Sequence, residues 1–167
     1  MPATRSRRIM ALVATLAIAA LASACGPTAA PAPAAPQCGA AMGDAVTLAI
    51  YNQVNADRAA NGLGPLAWNG QLACLAFDWS AQMSAAGDLR HRDLNATIRS
   101  PGYGGYRALG ENILRGPSSM TGEQMEAAWL ASPDHRANIL SSAYTSIGIS
   151  YFVTADGQIY ATQNFGG

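Results

Sequence analysis

Lysine is missing altogether: the ten basic residues are all arginine, set against ten acidic ones. Three of those arginines, Arg5, Arg7 and Arg8, lie in the first eight positions, so the rest of the chain carries seven basic and ten acidic residues and is mildly acidic. Nucleic acid and anionic membrane surfaces are bound through a basic face, which this composition does not supply. Histidine is nearly as scarce, with only His91 and His135. No nucleophile stands out, since Ser132 reads as a helix cap and Ser141 and Ser142 fall in a turn. The apolar run Ile9 to Leu21 is shorter than the ~20 residues a membrane-spanning helix needs.

What is present at the start has the three parts of a secretory signal: a basic stretch over Arg5–Arg8, the apolar run, and the small-residue exit Ala22-Ser23-Ala24. Cleavage after Ala24 would put Cys25 at the new N-terminus, as in a bacterial lipoprotein whose cysteine is acylated. Ala22, where a bulky aliphatic residue is usual, departs from that pattern, and an ordinary signal peptidase cutting at the same place would free the protein. From Gly26 to Pro36 the chain is a Pro/Ala tract, which cannot build a core and reads as a semi-rigid tether of about 3.1 Å per residue. The expected organisation is a signal peptide over 1–24, an anchor cysteine and linker over 25–37, and one domain over 38–167. Cys38 and Cys74 remain as an even pair in an oxidising compartment, so a disulfide is the economical reading and two independent buried thiols the alternative.

Val46, Ile50 and Val54 recur every four positions, leaving Asn52, Asn55, Asp57 and Arg58 off the stripe, and predict a helix begun at Asp44 and ended at Asn61-Gly62. Asn69 caps a second helix with Leu72, Leu75 or Ala76, Trp79 and Met83 on its core face, closed by Gly87. Asp88 to Gly110 lacks hydrophobic periodicity and is rich in Gly, Arg and Tyr. A stretch this long without regular structure either lines a functional surface or is a solvent loop. Thr121-Gly122-Glu123-Gln124 is a capping box for a third helix that turns Met125, Ala128 and Trp129 inward. Ser132-Pro133 stops it and starts another, placing His135 in a first turn, where the helix dipole disfavours the imidazolium. The period then changes to two over Ile147–Val153, Asp156-Gly157 supplies a turn, and Ile159–Phe165 returns, an antiparallel hairpin at the middle of a small sheet.

Five segments in order resemble the superfamily of cysteine-rich secretory proteins, antigen 5 and plant pathogenesis-related proteins (CAP), in its short bacterial SCP-like branch. They are Asn55-Ala56-Asp57-Arg58 with Gly64-Pro65-Leu66-Ala67-Trp68; His91; Gly110-Glu111-Asn112-Ile113; Ala128 to Leu140; and Gly148 with Thr162-Gln163-Asn164-Phe165-Gly166. The resemblance implies an α+β fold, a three-layer α-β-α sandwich with a small antiparallel sheet and a central cleft. It also implies that two histidines and two acidic residues line the cleft and can hold a divalent metal. Carried over, these are His91, Glu111 and His135. Ser132 stands at the second acidic position, and Glu126, one turn before Trp129, is not an obvious replacement.

Two functions of different class are compatible with these residues. In one, a secreted or envelope-tethered module binds a lipid, glycan or peptide in a cleft lined by His91, Glu111, Asn112, Ser132 and His135, joined to the membrane through Cys25 and without nucleic acid as a partner. In the other, the same cleft is a metal-dependent hydrolase of peptide or cell-wall substrate, with His91, His135 and Glu111 on zinc. The absent nucleophile and the missing second carboxylate favour binding over catalysis.

Overall fold

The computed structural model describes residues 44–100, 103 and 105–167. The signal segment, Cys25, the Pro/Ala tether, Cys38 and its expected bridge to Cys74, and Pro101, Gly102 and Gly104 lie outside the described residues.

The first helix, α1 (Ala45–Ala60), is capped where the sequence places its cap, Asp44 accepting from the Thr47 amide at 2.9 Å. A two-residue strand β1 (Ala67–Trp68) leads into α2 (Gly70–Ala86), whose Asn69 cap accepts from the Gln71 and Leu72 amides. Gly87 closes α2 at φ +64°, a left-handed conformation that suits glycine. Within the stretch expected to lack regular structure there is a short helix, α3 (Leu94–Ile98), begun by Asp93 accepting from the Ala96 amide. After it come β2 (Leu109–Pro117), α4 (Gly122–Ala131), α5 (Pro133–Ile139) and the hairpin β3 (Ser146–Val153) and β4 (Gln158–Gly166). The Thr121–Gln124 capping box starts α4 with both of its hydrogen bonds formed.

The sheet order is β1-β3-β4-β2. The hairpin lies in the middle, as its apolar alternation requires, and β2 pairs antiparallel with β4 along its whole length. The sheet is mixed rather than purely antiparallel, because β1 runs parallel to β3. Alternation along the strands divides the core. Ile159, Ala161 and Phe165 of β4, with Ile147 and Ile149 of β3, pack with Ile50, Val54, Met125, Trp129 and Ile139 from α1, α4 and α5. On the other face Tyr160 and Ile113 meet Trp79 and Met83 of α2. These are the layers of the α-β-α sandwich. Gly148 of β3 lies directly beneath the α2 backbone at Leu72 and Ala73, so near that a Cβ there would overlap it.

Two polar side chains expected to face away from the core are buried within it. Arg58 continues the step of four through Val46, Ile50 and Val54 and is 3% exposed. On α4 the inward face is Met125, Glu126 and Trp129, with Glu126 inward in place of Ala128, which is exposed.

β2 is an edge strand, and an open edge exposes unpaired carbonyls. Here the Trp129 indole donates to the Ile113 carbonyl at 3.1 Å and the Asn138 carboxamide to that of Glu111 at 3.2 Å. The edge next to α4 and α5 is therefore closed by side chains from the motif that carries His135.

Candidate functional site

Successive residues of an edge strand point to opposite faces, and β2 uses this at Glu111 and Asn112. Glu111 turns toward the segment after α2, whereas Asn112 turns toward α5, so one dipeptide fastens both histidine-bearing segments to the sheet.

On the first side the Glu111 side chain is fully buried. Its Oε1 accepts from His91 Nδ1 at 3.0 Å and from the Arg92 amide at 2.9 Å, and its Oε2 is buried without a protein hydrogen-bond partner. A carboxylate oxygen can only accept, so the proton in this contact is on His91 Nδ1. When the ring is neutral, Nε2 is the acceptor nitrogen. The His91 side chain is 57% exposed, and the contact orients it by one edge. Arg92 is held beside it, donating to the Leu75 carbonyl and to Asp78 and lying over the Trp79 ring at 4.8 Å. Arg90 lies over the same ring at 5.3 Å, and the Trp79 indole donates to the Arg90 carbonyl. These arginines hold α2 to the His91 segment.

On the second side Asn112 is completely buried and donates both to Gln163 Oε1 at 2.9 Å and to the His135 carbonyl at 3.1 Å, while accepting from Asn138 at 2.9 Å. Gln163 Nε2 in turn donates to Glu126 Oε2 at 2.6 Å. His135 is half-buried, and burial lowers the tendency of its ring to take a proton; the charge of His91 lowers it further, while Asp134 opposes both. Neutrality is the state expected from its place in a first turn, with desolvation as the leading cause.

The structure thus brings His91, Glu111, Asn112 and His135 to the same end of β2. Ser132 precedes α5 as its cap residue, but its side chain makes no cap hydrogen bond, contrary to the capping role expected of it. Among the described residues no hydrogen bond joins it to either histidine.

Among the described residues no group of three or more His, Cys, Asp and Glu side chains could hold a metal ion. The reason lies at Glu111, whose Oε1 is engaged by His91 and Arg92 on the far side of the imidazole from Nε2. A carboxylate placed this way orients a histidine rather than joining it as a ligand. Two imidazoles remain as the groups available to a ligand or an ion.

Glu126, Gln163, Asn138 and Arg58 are structurally central, yet their sequence context assigns them no site role. The accessible signal is positional: Glu126 lies at helical spacing from Gly122 and Trp129, and Gln163 occupies an inward position of a fully buried strand.

The geometry agrees with relationships to known proteins. The chain is 31% identical over 128 residues to the uncharacterized protein YkwD of Bacillus subtilis, covering 70% of this chain and 46% of that protein, so it spans under half the relative's length. Its fold is similar to that of an extracellular protein containing an SCP domain from Bacillus anthracis, with TM-score 0.55 and 28% identity over 70% of this chain and 38% of the other. It is also similar to an outer surface protein of Borrelia burgdorferi, with TM-score 0.63 and 17% identity over 70% and 88% of the two chains. The model of the cysteine-rich secretory protein family (CAP) matches residues 51–165, and the chain belongs to that family.

Proposed function

We propose that this domain is a secreted or envelope-tethered binding module whose cleft, at the rim formed by His91 and His135, takes a lipid, glycan or peptide ligand. One observation carries the reading: Glu111 orients His91 through Nδ1 and leaves Nε2 out of that contact, while the next residue of the strand, Asn112, holds the backbone of His135, whose imidazole burial disposes to neutrality. Imidazole nitrogens carried on two segments fastened to one strand suit a ligand rich in polar hydrogen-bonding groups, such as a sugar, a peptide backbone or a hydroxylated lipid head group. Among the described residues no serine or threonine hydroxyl is hydrogen-bonded to either imidazole, the arrangement that would activate a nucleophile. An extracellular setting is supported by the structural neighbour from Bacillus anthracis, which is described as an extracellular protein.

The test is a ring-resonance titration of His91 and His135 with soluble peptidoglycan fragments, phospholipid vesicles, an unstructured peptide and Zn²⁺, each added separately. One of the organic probes is expected to move both rings reversibly and to be recovered intact, with the response lost in His91→Ala. Recovery of a cleaved probe, with cleavage abolished in both histidine variants, would replace this reading with the hydrolase. Binding that survives loss of both histidines would move the binding surface away from the cleft.

The same reading includes an acylated Cys25 on the Pro/Ala tether and a disulfide between Cys38 and Cys74, which would add about 2 to 4 kcal/mol of stability. Intact mass of the protein purified from a bacterial envelope is expected to show an N-terminus at Cys25 carrying acyl chains, and a gain of two hydrogens on reduction. An unmodified N-terminus would remove the anchor, and two thiols alkylated without reduction would remove the bridge.

A further inference from the structure

The buried amides behind His135 have only one consistent direction. The carbonyl of His135 can only accept, so Asn112 must present its NH₂ there; the same NH₂ donates to Gln163 Oε1. Gln163 must therefore turn its own NH₂ the other way, where Glu126 Oε2 receives it at 2.6 Å. From Asn112 Oδ1 the order continues to Asn138, whose NH₂ also serves the Glu111 carbonyl. Asn112, Gln163 and Glu126 are each wholly buried, so water does not readily substitute for a missing partner. The whole line ends at Glu126, on a different helix from His135.

We infer that Glu126 is a positioning residue for His135, fixing the orientation of Gln163 and through it the Asn112 contact that holds the His135 backbone at the cleft rim. Without an acceptor at position 126 the Gln163 NH₂ is buried with nothing to receive it. Reversing that amide relieves the problem there, but brings NH₂ against NH₂ at Asn112. Reversing Asn112 as well brings oxygen against the carbonyl of His135. Either the unmet donor remains in the core or the mismatch moves to the histidine. The functional weight of His135 rests on the binding reading above, whereas its placement by Glu126 is a property of the unliganded protein.

Ring spectra of His135 in the unliganded full chain test this, in wild type, Glu126→Gln and Glu126→Leu. Glutamine can offer its carbonyl oxygen to Gln163, and the His135 resonances are expected to stay at their wild-type positions. Leucine removes the acceptor, and His135 is expected to move by more than a linewidth, while His91 and the Trp129 indole N–H, one turn along the same helix, stay in place. A folded Glu126→Leu protein with an unmoved His135 overturns the inference. So does one in which His91, Trp129 and His135 all move alike, since that is general loosening of the core. If the leucine variant does not fold, Glu126→Asp decides the matter: it withdraws the acceptor by one methylene, and His135 must move selectively. No ligand enters this measurement, so failure of the binding reading leaves it intact, and its own failure leaves binding untouched.

Discussion

Replacing Arg58 with alanine is expected to cost the domain about 3 kcal/mol or more in urea denaturation at neutral pH, and replacing it with lysine about 2. The guanidinium serves three carbonyls from one buried position: Nε donates to Gly64 at 2.9 Å, and Nη1 to Ile139 at 2.8 Å and Ser141 at 2.9 Å. Gly64 belongs to the turn after α1, while Ile139 and Ser141 lie at and just beyond the end of α5. The last carbonyls of a helix have no partner within it and carry the negative end of its dipole, so a cation there is favoured twice. Burial works the other way, lowering the pKa of the arginine, and the hydrogen bonds must outweigh that cost. Alanine leaves three acceptors unmet around a cavity. Lysine restores the charge, but its ammonium on a single flexible stem cannot match the planar fork. Because α5 carries His135, the alanine variant should also weaken any response of His135 to ligand. A loss below about 1 kcal/mol in Arg58→Ala would show that water replaces the guanidinium at these carbonyls, and the buried fork would then not be what holds α5.

Arg58 also shows where the sequence is legible and where it is not. Helix limits are readable at Asp44, Asn69, Gly87 and Thr121, because caps are local chemistry and each depends on residues within one turn. The hairpin is readable because its alternation and its Asp156-Gly157 turn are local as well. What escapes depends on partners distant in sequence. Arg58 reads as a solvent-side residue because arginine is rarely buried, although it falls on the same step of four as Ile50 and Val54. Two of its three acceptor carbonyls lie more than 80 positions away. Glu126 gives way to Ala128 on the expected inward face for the same reason, its partner Gln163 being on the last strand. β1 is invisible because two residues carry no periodicity. The Gly110-Glu111-Asn112 segment is identifiable by resemblance as part of the site, but not as an edge strand, since both of its polar side chains are buried and the usual alternation is hidden. Resemblance sets Glu111 among the cleft residues, but its contact with His91 Nδ1 depends on a segment 20 positions away and is visible only in the structure.

The pH dependence of stability should carry the signature of Glu126. Burial raises its carboxyl from 4.5 to about 8; the Gln163 hydrogen bond pulls it down, and Asp57 adds a smaller push upward. In the unfolded chain the same group ionises near its ordinary value. Between those two limits the folded protein keeps a proton that the unfolded chain has released, so stability falls as pH rises, by up to about 1.4 kcal/mol for each pH unit. The full neutral-state advantage is present below about pH 4.5 and is gone above about pH 8. His135 acts in the opposite sense and lower down: its lowered proton affinity makes stability rise with pH up to its ordinary range, so it does not mask the alkaline side. Glu126→Gln is neutral throughout and removes this dependence. Urea denaturation at intervals from about pH 5 to about pH 9 should therefore show the glutamine variant gaining on wild type by about 4 kcal/mol across the window, with most of the gain in place by about pH 8. A wild-type to variant difference that stays constant over that range would mean that Glu126 is ionised in the folded protein at pH 5. The carboxyl would then be a buried anion held by Gln163 rather than a neutral acid.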